Sequence, residues 1–183
     1  MRVPSKAVNL YLVGFMGVGK TAVGRALAQQ LDLEFLDSDR EIEIQQHRQI
    51  KEIFETCGEA TFRNMEREFI ANGHPPTGCV VACGGGLIIP PGMLDFVRTK
   101  GVVVCLFADP ETIIKRTATN DKRPLLNGGN PEERVRKLYA ERMPIYNKVR
   151  TAISTDNQSI REIVRRLEAI YHRESRDFQL RTS

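Results

Sequence analysis

The chain has 183 residues, 41% of them hydrophobic and 27% charged, with a formal net charge of +4, which fits a single globular domain able to bury its own core. No apolar run approaches the length of a membrane span and Met1 to Ala7 lead into no signal-peptide core, so no membrane partner is expected and the cytoplasm is the expected compartment. The mild positive charge is dispersed, with no arginine-rich tract, so no nucleic-acid partner is expected either.

Val8 to Val13 is short, mostly apolar and β-prone, a buried-strand pattern. It runs into Gly14-Phe15-Met16-Gly17-Val18-Gly19-Lys20-Thr21, which fits the phosphate-binding pattern G-x-x-x-x-G-K-S/T without a mismatch. Val23, Leu27 and Leu31 then recur at a helical spacing. Strand, glycine turn and helix together are the context that pattern needs. Glycines let the backbone wrap phosphate oxygens closely, and the N–H groups opening the helix point at the same anion. Lys20 suits the β- and γ-phosphates, and the Thr21 hydroxyl suits Mg²⁺. A nucleoside triphosphate is the expected ligand.

Leu33 to Leu36 reads as a second strand, ending in Asp37-Ser38-Asp39. Two carboxylates at a strand's end would project into the crevice where α/β sheets bind ligands, with one able to hold Mg²⁺ through water. Aspartate is also a favoured helix N-cap, and both roles fit the same corner. Residues 40–73 read as helical, with a new helix starting at Gly58-Glu59. Arg63 and Glu66 fall on one face of it, a spacing that on its own favours a surface ion pair of little energetic weight. His74-Pro75-Pro76-Thr77-Gly78 ends the helix.

Cys79 to Cys83 is the third strand, leading directly into Gly84-Gly85-Gly86, either a flexible turn or a backbone that passes close to a ligand. A short helix over 92–99, a fourth strand over Val102 to Phe107 and a helix capped by Asp109-Pro110-Glu111 follow. Residues 119–131 are polar and turn-rich and hold Arg123, either a lid arginine closing on the γ-phosphate or a solvated surface residue. A helix over 131–148 carries Arg142 and Pro144, and the proline implies a kink or break. Ala152 to Ser154 is a fifth strand, 158–171 a final amphipathic helix, and 172–183 a frayed, flexible tail. The four cysteines include no C-x-x-C pair and the three histidines are isolated, so reduced thiols and no transition-metal site are expected. Strands alternating with helices predict a three-layer α/β/α sandwich around a five-stranded, mostly parallel sheet, with a core over about 8–171.

The chain resembles the shikimate kinases, in the nucleoside-monophosphate-kinase-like branch of P-loop proteins. The residues that carry the resemblance are GFMGVGKTAVGRALA at 14–28, FLDSDREIE at 35–43, EIFETCGEATFRNMER at 52–67, the glycines at 84–86, KRPLL at 122–126 and AERMPIY at 140–146. They span nearly everything from residue 8 to 170, and their combination is far more specific than the phosphate loop alone. The resemblance implies ATP-dependent phosphorylation of the 3-hydroxyl of shikimate, with Mg²⁺ as cofactor, on the way to chorismate and the aromatic amino acids. It also implies a monomer with a substrate-binding helical region at about 39–73 and a lid at about 119–131.

By the same resemblance, Gly17, Val18, Gly19, Lys20, Thr21 and Ala22 cradle the ATP phosphates, and Asp37 meets Mg²⁺ through water. Asp39 holds the acceptor hydroxyls and is the expected base. Arg63 and Arg142 clamp the shikimate carboxylate, and Gly85 with Gly86 supplies a backbone contact to it. Arg123 is the lid arginine, and Arg116 and Gln158 fall near the adenine. Two guanidinium forks on one small carboxylate make chemical sense, because arginine binds carboxylates bidentately and lysine does not. Lys51 and Cys83 depart from residues common in the family, outside the motif positions assigned here. A kinase for gluconate or a nucleotide, and a catalytically silent nucleotide switch, are the weaker alternatives; the chain has no N-K-x-D guanine-reading motif.

Overall fold

The computed structural model describes residues 7–118 and 130–182. The expected lid, Arg123 included, lies outside them except for its last two residues. In chain order the elements are β1 (Asn9–Val13), α1 (Lys20–Leu31), β2 (Glu34–Asp37), α2 (Ser38–Gln46), α3 (Ile50–Asn72), β3 (Cys79–Ala82), α4 (Met93–Arg98), β4 (Gly101–Phe107), α5 (Pro110–Thr117), α6 (Pro131–Tyr146), β5 (Thr151–Ser154) and α7 (Ile160–Thr182). Among the described residues the strands form one sheet in the order β2-β3-β1-β4-β5. Every pairing is parallel, where the sequence reading had expected a mostly parallel sheet.

A parallel strand covered by helices on both faces has no solvent side, which is why the strand sequences run apolar instead of alternating. Leu10, Tyr11 and Leu12 of β1 and Cys79, Val80 and Val81 of β3 are fully buried. Because β1 lies between β3 and β4, the chain crosses the sheet after β3, and the loops following β1 and β3 sit side by side at the carboxyl ends. That is where the phosphate-binding loop and the three glycines fall.

Asp37 does cap α2: its Oδ1 accepts from the backbone N–H of Asp39 at 3.2 Å and of Arg40 at 3.4 Å. Asp109 sits at the N-cap of α5 but makes no side-chain cap. Its own N–H instead donates to Asp156 Oδ2 at 2.9 Å, so the carboxylate bonding there comes from the loop after β5. Helix α3 runs through Gly58, whose φ of 78° and ψ of 167° are not helical and divide it where a new helix was expected. Pro144 lies in the last turn of α6, which ends at Tyr146, two residues short of the expected 148.

The tail is the main correction. The expected helix over 158–171 with a frayed end is a helix that continues to Thr182. Tyr171 donates to the Val8 carbonyl at 2.8 Å, the Thr151 hydroxyl donates to Glu174 Oε1 at 2.5 Å, and Phe178 packs against the core. Phe178 lies two turns beyond Tyr171 on the same stripe, so burial extends the helix into a polar segment. Truncation after Tyr171 should therefore destabilise the protein by on the order of 1–2 kcal/mol, lowering the melting temperature by about 3–6 °C. A melting curve unchanged by truncation would show that the last turns carry no stability.

Candidate active site

One cavity of about 720 Å³ opens at the carboxyl ends of β1 and β3. Its donor-side wall is the phosphate loop with Gly17, Gly19, Lys20, Thr21 and Ala22, and Arg116 lies at the same end. Lys20 Nζ donates to the carbonyls of Gly14 at 2.8 Å and Phe15 at 2.9 Å, which holds the ammonium over the loop. Thr21 Oγ1 donates to Asp37 Oδ2 at 2.9 Å, so a hydroxyl and a carboxylate meet at the start of α1. Arg116 donates to Thr155 Oγ1 at 3.0 Å and to the Thr155 carbonyl at 2.9 Å, and reaches the Gly17 carbonyl at 3.5 Å.

The opposite wall is charged. Asp39, Arg63, Glu66, Gly84, Gly85, Gly86 and Arg142 converge on it. The glycines are pressed against these side chains: a Cβ on Gly84 would lie 2.3 Å from Asp39 Oδ1, and one on Gly86 would lie 2.6 Å from both Nη atoms of Arg63. A side chain at either place would have to displace the Asp39 carboxylate or the Arg63 guanidinium. Arg63 Nη1 donates to Glu66 Oε2 at 2.6 Å, and its Nε and Nη2 donate to Glu59 Oε1 at 3.2 and 2.7 Å. Arg142 is buried, donates from Nη1 to the Gly85 carbonyl at 3.0 Å, and stacks 5.9 Å over the Phe15 ring of the phosphate loop.

The Arg63–Glu66 pair is therefore not the surface ion pair that spacing alone predicted. Glu66 is 1% exposed, because the glycine loop after β3 covers it. Burial, reinforced by the Asp37 charge, pushes Asp39 up to about 6 against the pull of Lys20 and Arg63. Burial pushes Glu66 up to about 7, with Arg63 opposing the rise. Asp39 Oδ1 and Glu66 Oε1 are both buried without a hydrogen-bond partner among the described residues. The Asp39 charge adds to the rise at Glu66.

Of the residues expected from the sequence, Val18 is fully buried and does not line the cavity. Gln158 also lies off its wall, donating to the Ser154 carbonyl at 3.0 Å and accepting from Arg166 Nη1 at 2.9 Å. Arg123 lies outside the described residues. The sequence reading missed Glu43, Phe54 and Phe62 on the wall and the burial of Glu66. Glu43 stands one helical turn from Asp39, a spacing that could have placed it there; its Oε1 accepts from the Ile50 N–H at 2.9 Å and ties α2 to α3. Lys51 and Cys83, the two departures from family residues, both line the cavity. Burial pushes the Cys83 thiol far up, so oxidation there is disfavoured.

A phosphate loop on one wall and paired arginines with carboxylates on the other, in a parallel α/β sandwich, define the P-loop kinase class. The shikimate kinase family model matches residues 16–171. A shikimate kinase from Thiobacillus denitrificans is 44% identical over 162 residues, covering 88% of each chain, and one from Thermus thermophilus is 41% identical over 90% of each. The structure of shikimate kinase from Acinetobacter baumannii in complex with shikimate superposes with a TM-score of 0.81 at 38% identity, covering 90% of this chain and 92% of the other. This chain belongs to the shikimate kinase family.

The Arg63–Glu66 pair makes a pH-dependent prediction. Glu66 has a folded pKa above its unfolded value, so its stabilising share is complete below the unfolded carboxylate pKa and is lost as pH rises through about 7. Arg63→Ala removes the charge opposing that rise and lifts the Glu66 pKa further. Its destabilisation should grow with pH, to roughly 3 kcal/mol near pH 8.5 and about half that near pH 6, in denaturant melts. An equal penalty at both pH values would show that Arg63 does not set the ionisation of Glu66.

Proposed function

We propose that this chain transfers the γ-phosphoryl group of ATP to the 3-hydroxyl of shikimate, giving shikimate 3-phosphate and ADP. The observation that carries the reading is one cavity in which a phosphate-binding loop faces the buried Arg142, the part-buried Arg63 and a desolvated aspartate. Family membership supports it. A small polyhydroxylated acid has little apolar surface, so charge-assisted hydrogen bonds must orient it. Arg142 and the edge of the Arg63 guanidinium nearest Gly86 take the carboxylate, and the Gly85 and Gly86 backbone bounds the ring.

Gly17, Val18, Gly19, Lys20, Thr21 and Ala22 hold the triphosphate through backbone N–H groups and the Lys20 ammonium. Arg116, fixed on Thr155, takes the adenine end, with Gln158 beyond it. Thr21 Oγ1 and Asp37 present adjoining hard oxygens, a donor set that fits Mg²⁺, which keeps most of its ligands as water and phosphate. When bound, that ion neutralises charge on the β- and γ-phosphates. Asp39 orients the acceptor hydroxyl and accepts its proton, its raised pKa bringing it closer to that task. Arg123 supplies charge to the transferring phosphoryl group from the lid. The whole chain is read as one kinase domain, monomeric and cytoplasmic.

ADP release measured across acceptors tests the reading: shikimate should support turnover with ATP and Mg²⁺, and gluconate or a nucleoside monophosphate should not. Turnover with gluconate alone would overturn it. Arg63→Lys keeps the charge but loses the fork, and should raise KM for shikimate roughly tenfold or more while KM for ATP moves less than about twofold. Asp39→Asn should lower kcat by about 10²–10⁴-fold, and a near-normal kcat would remove Asp39 as base and positioner.

A further inference from the structure

Tyr146 ends the E-R-x-P-x-Y segment of α6, yet it does not line the main cavity. It lines a separate cavity of about 180 Å³ with Phe15, Tyr139 and Met143. Its phenol is buried and donates to the Gly85 carbonyl. Arg142, one helical turn earlier on the same face, donates to that same oxygen at 3.0 Å. A carbonyl oxygen has two lone pairs, and here both are taken by neighbours on one helix. The peptide joining Gly85 to Gly86 is trans, so holding its C=O on the α6 side fixes the direction of the Gly86 N–H on the opposite edge. Gly86 has no side chain to define its own position, and a Cβ there would collide with Arg63. The Leu87 N–H donates to the Gly84 carbonyl at 3.1 Å and closes a turn around this peptide, and the donors from α6 select which way the central peptide faces within that turn.

We infer that Tyr146 is a positioning residue for the acceptor: its hydroxyl and the Arg142 guanidinium clamp the Gly85 carbonyl, and the clamp sets both the Gly85–Gly86 peptide and the direction of the Arg142 fork. The inference rests on the proposed reaction and adds to it a group that never touches the substrate. Burial pushes the phenol pKa well up, so it remains a donor throughout the working pH range. Without it, Arg142 is left as the carbonyl's hydrogen-bond partner on α6 and can rotate as the glycine loop shifts.

Tyr146→Phe tests this, because it deletes one oxygen and keeps the packed ring. KM for shikimate should rise roughly five- to twentyfold, with KM for ATP within about twofold of wild type. The preference for shikimate over its carboxyl methyl ester, as a ratio of kcat/KM, should fall by a similar factor, since the ester gains little from an aligned Arg142. A purely structural tyrosine would lower the melting temperature and shift both KM values together without changing that ratio. Either that pattern, or a shikimate KM within about twofold of wild type, overturns the role of Tyr146. A wild-type protein inactive on shikimate overturns the parent reading and this one with it; an active wild type with an unaltered Tyr146→Phe variant overturns this one alone.

Discussion

The acceptor half of the site depends on how closely the Gly84–Gly86 backbone approaches the charged side chains beside it. Asp39 Oδ1 occupies the place of a Gly84 Cβ, and the Arg63 guanidinium occupies that of a Gly86 Cβ. This contact buries Glu66 and Asp39, gives Arg63 its orientation and leaves the Gly85 carbonyl to α6. An alanine at either glycine would force backbone or charged groups apart by about an ångström, more than interiors packed at crystal density absorb without local rearrangement. The glycines matter here for space: neither Gly84 nor Gly86 has a positive φ.

Burying two carboxylates at one corner is costly, and the structure meets the cost unevenly. Glu66 gains an arginine at 2.6 Å, while Asp39 has only the charge of Lys20 and Arg63 nearby, and each carboxylate keeps one buried oxygen without a partner among the described residues. Replacing such a network by apolar residues commonly stabilises a protein, so stability does not account for it. In the proposed reaction its value lies in a pair of fixed cations facing the place where an anionic acceptor would dock. Preorganised charge of this kind is the main resource in phosphoryl transfer, where there is little covalent chemistry for the protein to do.

Local sequence carried the donor half almost completely. The β1–loop–α1 unit is contiguous, its residue types are dictated by phosphate chemistry, and no distant contact is needed to recognise it. Alternation of strands and helices implied the sandwich, but the order β2-β3-β1-β4-β5 depends on pairings between strands far apart in sequence. The acceptor half was harder to read for the same reason. The three-residue spacing of Arg63 and Glu66 identifies a pair on one face of a helix, and only the loop after β3, some twenty residues on, decides that the face is buried. The end of α7 failed differently: in a run as polar as His172 to Thr182, Phe178 with an exposed Leu180 is a weak periodic signal, and the packing of Phe178 against the core overrides composition.

The two halves are joined more tightly than two sites sharing one crevice would require. β1 and β3 are neighbours in register, so the loops that leave them run in contact: a Cβ on Gly85 would lie 3.3 Å from the Met16 backbone nitrogen. Arg142 stacks over Phe15 of the phosphate loop while its Nη1 holds the glycine loop, and Phe15 in turn packs edge-on against Tyr139 of α6 at 5.4 Å between ring centroids. A displacement of the phosphate loop would thus reach, through packed rings, the arginine proposed to orient the acceptor. In-line transfer requires donor phosphorus and acceptor oxygen to be aligned within a fraction of an ångström, and a misplacement of about one ångström can cost a hundredfold in rate. Building both binding loops on adjacent parallel strands, with α6 bracing the pair, supplies that alignment from the sheet's own register.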